Sequence, residues 1–133
     1  MSIAHGIHRL GVLGAGQMGT GIALVSALRA KVPVLLHDRS SEQVTKGLSL
    51  MDKLLAKDVS KGRITSEEAK EARDRISVVG SEAGIKGLRD VDMVVEVSSP
   101  INSKMKSITP GTKRIGCLRV SPSQTINIRF VCS

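Results

Sequence analysis

The stretch GVLGAGQMGTGIAL, residues 11–24, puts five glycines into fourteen positions and then runs straight into apolar residues. Glycine at that density weakens regular structure, so a fold keeps it only where the chain must turn tightly or where something approaches the backbone closely. Residues 8–13 suit a short strand. From Gln17 to Ala30, the residues Met18, Ile22, Val25 and Leu28 recur at helical steps, which makes the glycines the turn between a strand and an amphipathic helix.

Gly14, Gly16 and Gly19 fit the spacing G-x-G-x-x-G. The first glycine permits the turn, the second lets backbone approach a pyrophosphate, and the third lets the helix pack on the strand. The phosphates would rest on free amides at the helix N-terminus. A packing turn without a ligand also uses glycines, so the surroundings matter. Residues 32–37 form a compact apolar run, a candidate buried parallel strand, ending in Asp38 nineteen residues after Gly19, where a ribose-binding acid is expected. Asp38 would accept from both ribose hydroxyls and repel a 2′-phosphate, favouring NAD over NADP, while the adjacent Arg39 works in the other direction.

Further along, Ser40 and Gln43 have the spacing of a capping box, and Val44, Leu48, Met51, Leu54 and Leu55 predict a second amphipathic helix ending near Gly62. Thr65 and Glu68 repeat the box and open a charged third helix through about Arg73. Residues 76–79 predict a short strand, 83–88 a helical turn, and 91–97 a β-branched strand. The alternation predicts an α/β fold: a partial Rossmann, doubly wound, mostly parallel sheet with a helical insert between strands 2 and 3 and strand order 3-2-1-4. A chain of 133 residues with a single aromatic, Phe130, fits one domain with an aliphatic core.

The net charge of +8 is uneven. Residues 98–133 carry six basic side chains and no acid, giving +6, whereas residues 1–97 carry fourteen basic and twelve acidic ones, giving +2. Both cysteines, Cys117 and Cys132, fall in the same basic stretch and are read as reduced thiols. The expected division is therefore 1–97 as a nucleotide-binding domain and 98–133 as an irregular basic tail, apart from a short alternation at Ile126, Ile128 and Phe130. Without further strands, the four-stranded sheet is expected to expose an apolar edge. No apolar run reaches the ~18 residues of a membrane span and no leader peptide is evident, so a soluble, cytoplasmic protein is expected.

The residues LGVLGAGQMGTGIALVSALRAKVPVLLHDRS, the insert KGRITSEEAKEARDRI and the strand DVDMVVEV together resemble the NAD-binding domain of the 3-hydroxyacyl-CoA dehydrogenase family, which includes the 3-hydroxybutyryl-CoA dehydrogenases, over residues 7–97. The resemblance implies that Gly14, Ala15, Gly16, Gln17, Met18 and Gly19 line the pyrophosphate of NAD and that Asp38 holds the adenosine ribose. It implies oxidation of the 3-hydroxyl of an acyl-CoA in fatty acid metabolism. Glu96 is either a ligand of the nicotinamide ribose or a local hydrogen-bonding partner. The family's acyl-CoA contacts, a serine and a lysine on the helix after strand 2, point to the region of Ser49, Met51, Lys53 and Lys57, with Lys57 the substrate-side candidate.

Past Val97 the family pattern is lost: Pro100 stands in place of a second glutamate, and Met105, between Lys104 and Lys106, in place of a lysine. The simplest account is a shifted reading frame or retained intron. No catalytic residue and no metal site is identified. Hydride loss from an alcohol needs a base, and His5, His8 and His37 are read as solvent-facing or packing residues. The chain is expected to bind NAD without turning over substrate on its own. Two alternatives are an inactive homologue that senses NAD or joins full-length subunits, and a polyanion-binding module acting through the basic tail, for which stacking aromatics are wanting.

Overall fold

The computed structural model describes residues 6–80, 82–88, 90–98, 112–121 and 124–131. Strand β1 (Leu10–Leu13) leads into helix α1 (Gln17–Val25), which continues as a π-helical turn (Ser26–Ala30), and β2 (Val34–His37) follows. Helices α2 (Ser41–Ser60) and α3 (Ser66–Asp74) form the insert before β3 (Ile76–Val78). A 3₁₀ turn (Gly84–Leu88) then precedes β4 (Met93–Ser98), β5 (Thr112–Ser121) and β6 (Gln124–Val131). They make one six-stranded sheet in the order β3-β2-β1-β4-β6-β5. Strands β1 to β4 are mutually parallel, in the expected order, whereas β6 runs antiparallel to β4 and to β5.

All four residues of β1 are buried because both sheet faces are covered. Leu10 and Val12 join Val34, Leu36, Ile76 and Val95 under the helices, where Ala23, Leu24 and Ala27 of α1, Val44, Met51 and Leu55 of α2 and Ala72 of α3 complete an aliphatic core. Leu13 and Val94 face the other way and pack with Leu88 and Val91. Gly11 lies between them: a Cβ there would come within 3.1 Å of Val91 and 3.3 Å of Leu88.

Helix boundaries follow local chemistry. At α3 the Thr65 side chain accepts from the Glu68 amide at 3.1 Å, and the Glu68 carboxylate accepts from the Thr65 amide at 2.9 Å, so the capping box is complete. At α2 only half of it forms. The Ser40 hydroxyl accepts from the Gln43 amide, but the Ser40 amide, which Gln43 would take in a full box, donates to Asp38 instead. Gly62, at φ +69°, closes α2. The helix read as 17–30 is α-helical only to Val25, and its π-helical turn ends at Lys31 in the left-handed region, φ +54°.

The tail does not conform to the irregular form expected of it. Strands β5 and β6 form an antiparallel pair, and β6 lies along the outer edge of β4 from Met93, opposite Phe130, to Ser98, opposite Thr125. The apolar edge expected to be open is therefore covered. In this register Ile126, Ile128 and Phe130 stand opposite Val97, Val95 and Met93. Pro100, Lys104, Met105, Lys106, Cys132 and His5 lie outside the described residues.

Candidate functional site

The site is built at the carboxyl ends of β1, β2 and β4, where the connections leave the sheet in opposite directions: β1 to β2 on one side, β4 on the other. Gly14 leaves β1 at φ +106°, and its amide donates to the His37 carbonyl of β2 at 2.8 Å. A Cβ on Gly14 would lie 2.6 Å from the Val97 carbonyl oxygen of β4, and a Cβ on Gly19 would lie 1.8 Å from the Gly14 carbonyl oxygen. Packing within the chain thus accounts for both glycines. Gly16 is different, since no atom of the described residues stands within 4 Å of where its Cβ would be. That open face lies at the N-cap of α1.

The first intrahelical bond of α1 runs from the Thr20 amide to the Gly16 carbonyl at 2.9 Å. Among the described residues, no side chain caps this end and its first turn has no acidic residue. The amides of Gln17 and Met18 therefore carry the helix's partial positive charge toward the open face at Gly16, an arrangement that suits a phosphate. Gly16 and Gln17 are exposed, Met18 is half-buried and Ala15 is buried.

Asp38 sits immediately beside this turn. One carboxylate oxygen accepts from the Ala15 amide at 2.8 Å and the other from the Ser40 amide at 2.9 Å. The acid and the glycine turn, 23 residues apart, are brought into direct contact. Each oxygen keeps a second lone pair for a sugar hydroxyl. The arrangement can offer donor amides to a pyrophosphate and an acceptor-only carboxylate to a ribose.

Two contributors escaped the sequence reading. Gly47 on α2 lets that helix press against the turn, for a Cβ there would lie 2.8 Å from the Thr20 hydroxyl oxygen and 3.0 Å from the Ala15 carbonyl oxygen. The buried Thr20 hydroxyl donates to that same Ala15 carbonyl at 3.1 Å. An isolated glycine within an otherwise amphipathic helix was the available signal.

The remaining candidates are more scattered. Glu96 is buried, 5% exposed, and stands opposite Leu13 of β1 in the sheet register. Its carboxylate makes no hydrogen bond or ion pair with a described residue. His37 stands on the other side of Leu13, buried, with Nδ1 3.2 Å from the Val79 carbonyl oxygen, a packing role. His8 offers its backbone amide to Asp92 at the far end of β1. Lys57, like Ser49 and Lys53, is exposed on α2, and it lies ten residues beyond Gly47, which is about 15 Å along a helix. An apolar cavity of about 150 Å³, lined by Ile7, Leu10, Ser26, Ala30, Val32 and Met93, lies at the opposite end of β1 and β4 and is not part of this site. Among the described residues, no helix is long and apolar enough to cross a membrane.

Comparison with known proteins agrees with this geometry. Residues 9–109 match the family model for the NAD-binding domain of 3-hydroxyacyl-CoA dehydrogenase, so the match runs past Val97. The fatty acid oxidation complex subunit alpha of Pseudomonas entomophila is 35% identical over 132 residues, covering 97% of this chain and 18% of that protein. The 3-hydroxybutyryl-CoA dehydrogenase of Bradyrhizobium diazoefficiens is 41% identical over 92 residues, 69% of this chain and 30% of that one. The crystal structure of Mycobacterium tuberculosis FadB2 superposes with a TM-score of 0.62 at 37% identity, over 68% of this chain and 30% of that one. The chain thus spans less than a third of the length of these relatives. A strand–glycine–helix turn with an open cradle at Gly16, an acid at Asp38 and a family match over most of the sequence lead to one assignment: the chain belongs to the 3-hydroxyacyl-CoA dehydrogenase family and carries its NAD-binding domain.

Proposed function

We propose that this chain supplies the NAD-holding part of a hydroxyacyl-CoA oxidation, with Gly14, Ala15, Gly16, Gln17, Met18 and Gly19 around the pyrophosphate and Asp38 on the adenosine ribose. The observation that carries the reading is Gly16: its neighbours in the motif are explained by packing, whereas among the described residues no atom stands within 4 Å of its Cβ position, at the uncapped N-terminus of α1, so a phosphate can approach its backbone. The fixed negative charge of Asp38 disfavours a 2′-phosphate, so NAD is chosen over NADP. NAD, when bound, supplies the hydride acceptor.

Glu96 is proposed as the acceptor for a hydroxyl of the second ribose, since a buried carboxylate without a partner among the described residues calls for a donor. Lys57 is proposed on the substrate side, where its exposed ammonium could meet a phosphate of CoA. Alcohol oxidation also needs a base beside the reacting hydroxyl. His37 is already committed to the Val79 carbonyl, and His8 lies at the other end of the sheet. The chain on its own is therefore proposed to bind NAD without turning over a 3-hydroxyacyl-CoA.

Calorimetric titration with NAD tests the first half, with Asp38→Ala as control. Binding heat that the substitution abolishes is expected, and a folded chain giving no heat would refute it. Incubation with 3-hydroxybutyryl-CoA and NAD tests the second half: NADH formation that disappears in Gly16→Ala would show that the chain is a complete catalyst after all.

A further inference from the structure

We infer that Asp38 is a positioning residue for the glycine turn, acting before any ligand arrives; the part of this inference that concerns anion binding rests on the nucleotide reading above. Its two oxygens accept from backbone amides in different parts of the fold, Ala15 at 2.8 Å and Ser40 at 2.9 Å, and so tie the turn after β1 to the start of α2. Only a carboxylate satisfies both. Asparagine has one acceptor oxygen, and its NH₂ group would face one of the two N–H donors.

Ala15 is the point through which this bond acts. Its carbonyl accepts from the Thr20 hydroxyl at 3.1 Å, α2 approaches it closely at Gly47, and its methyl is buried. The next residue, Gly16, has no described neighbour within 4 Å of its Cβ position and so no side-chain packing from the described residues to fix it. Ala15 is thus one of the holds, beside the buried Gly19 and Thr20 of α1, on the turn from which the Gln17 and Met18 amides point. Of the bonds that hold Ala15, the one from its amide is the charge-assisted one.

This role has a sign opposite to that of simple electrostatics. A negative charge beside an anion cradle repels an anion, so if Asp38 acted by charge and ribose contact alone, removing the charge would strengthen binding of a phosphate compound that has no ribose. If it positions the turn, removing the charge weakens that binding.

Two measurements on the full 133-residue chain test the inference. In the ligand-free wild type, the Ala15 amide is expected to exchange with solvent at least about tenfold more slowly than that of Gly16, and Asp38→Asn is expected to remove most of that protection. The Kd for inorganic pyrophosphate at low salt is expected to rise about threefold or more in Asp38→Asn, despite the lost negative charge. An Ala15 amide that exchanges as fast as Gly16 in the wild type, or an Asp38→Asn protein that binds pyrophosphate as tightly as the wild type or better, would overturn it. Should Asp38→Asn fail to fold, the wild-type exchange comparison decides alone. A wild type that protects Ala15 yet binds neither NAD nor pyrophosphate would instead refute the nucleotide reading and leave the positioning role standing.

Discussion

Three glycines of one motif do different work, and substitution separates them. Gly19→Ala would drive a methyl into the Gly14 carbonyl and is expected to destabilise by about 3 kcal/mol or more, whereas Gly16→Ala meets no atom and is expected to cost under about 1 kcal/mol, as alanine is a poor N-cap. The same Gly16→Ala change is expected to weaken NAD binding at least about tenfold, because the methyl occupies the cradle; urea unfolding and NAD titration of both variants read the contrast. The motif spacing marked Gly14, Gly16, Gly19 and Asp38 alike and did not say which glycines are needed for packing, since only the fold places the Val97 and Gly14 carbonyls against Gly14 and Gly19. Another residue acts at the far end of the sheet. Asp92 accepts from the His8 amide at 2.6 Å and the Arg9 amide at 2.9 Å, and these two backbone bonds hold its carboxyl below the ordinary value of 3.8. A group whose acidity is raised by folding stabilises the fold above its ordinary value, and the effect is lost as pH falls through the lower folded one. Unfolding midpoints measured from pH 7 down to pH 2 should therefore fall more below pH 4 in the wild type than in Asp92→Asn, and parallel profiles would show that Asp92 contributes nothing.

At the scale of elements, sequence was most legible where a local pair of residues fixes a boundary. The Thr65–Glu68 box starts α3 as read. The Ser40–Gln43 box is only half made, because the competing acceptor, Asp38, is adjacent in space for reasons of site geometry rather than helix capping. The end of the first helix was not legible, for nothing in SALRA distinguishes a π-helical turn from an α-helical one. There the chain turns toward β2 through Lys31 at φ +54°, a conformation that a residue with a Cβ adopts at a cost of about 1 kcal/mol. Lys31 is exposed, so Lys31→Gly loses no packing and is expected to raise stability by about 0.5–1 kcal/mol in urea unfolding. A destabilised variant would mean that the lysine side chain or the reduced freedom of the unfolded chain outweighs the relief of strain.

For the molecule as a whole, the parallel half and the antiparallel half of the sheet were unequally legible because they are specified differently. Strands β1, β2 and β4 are nearly continuous apolar runs separated by helices at regular spacing, a pattern that admits few topologies. The β5–β6 pair alternates over short stretches among basic residues, and its place depends on a tertiary fact no local pattern contains: β4 would otherwise present a row of unpaired backbone groups along a strand buried on the helix side. With β6 seated between β4 and β5, every amide along it faces one neighbour or the other, so a residue without an N–H must break a rung of the sheet. Ile128→Pro, opposite Val95, tests whether this coverage matters. The expected result is a lower urea midpoint with light scattering at micromolar concentration, as the edge of β4 opens to other chains, while the far-UV signal of α1, α2 and α3 persists. An unchanged midpoint with no scattering would mean that the parallel strands and their helices stand without the hairpin, and that the nucleotide-binding turn needs no cover on the far side of β4.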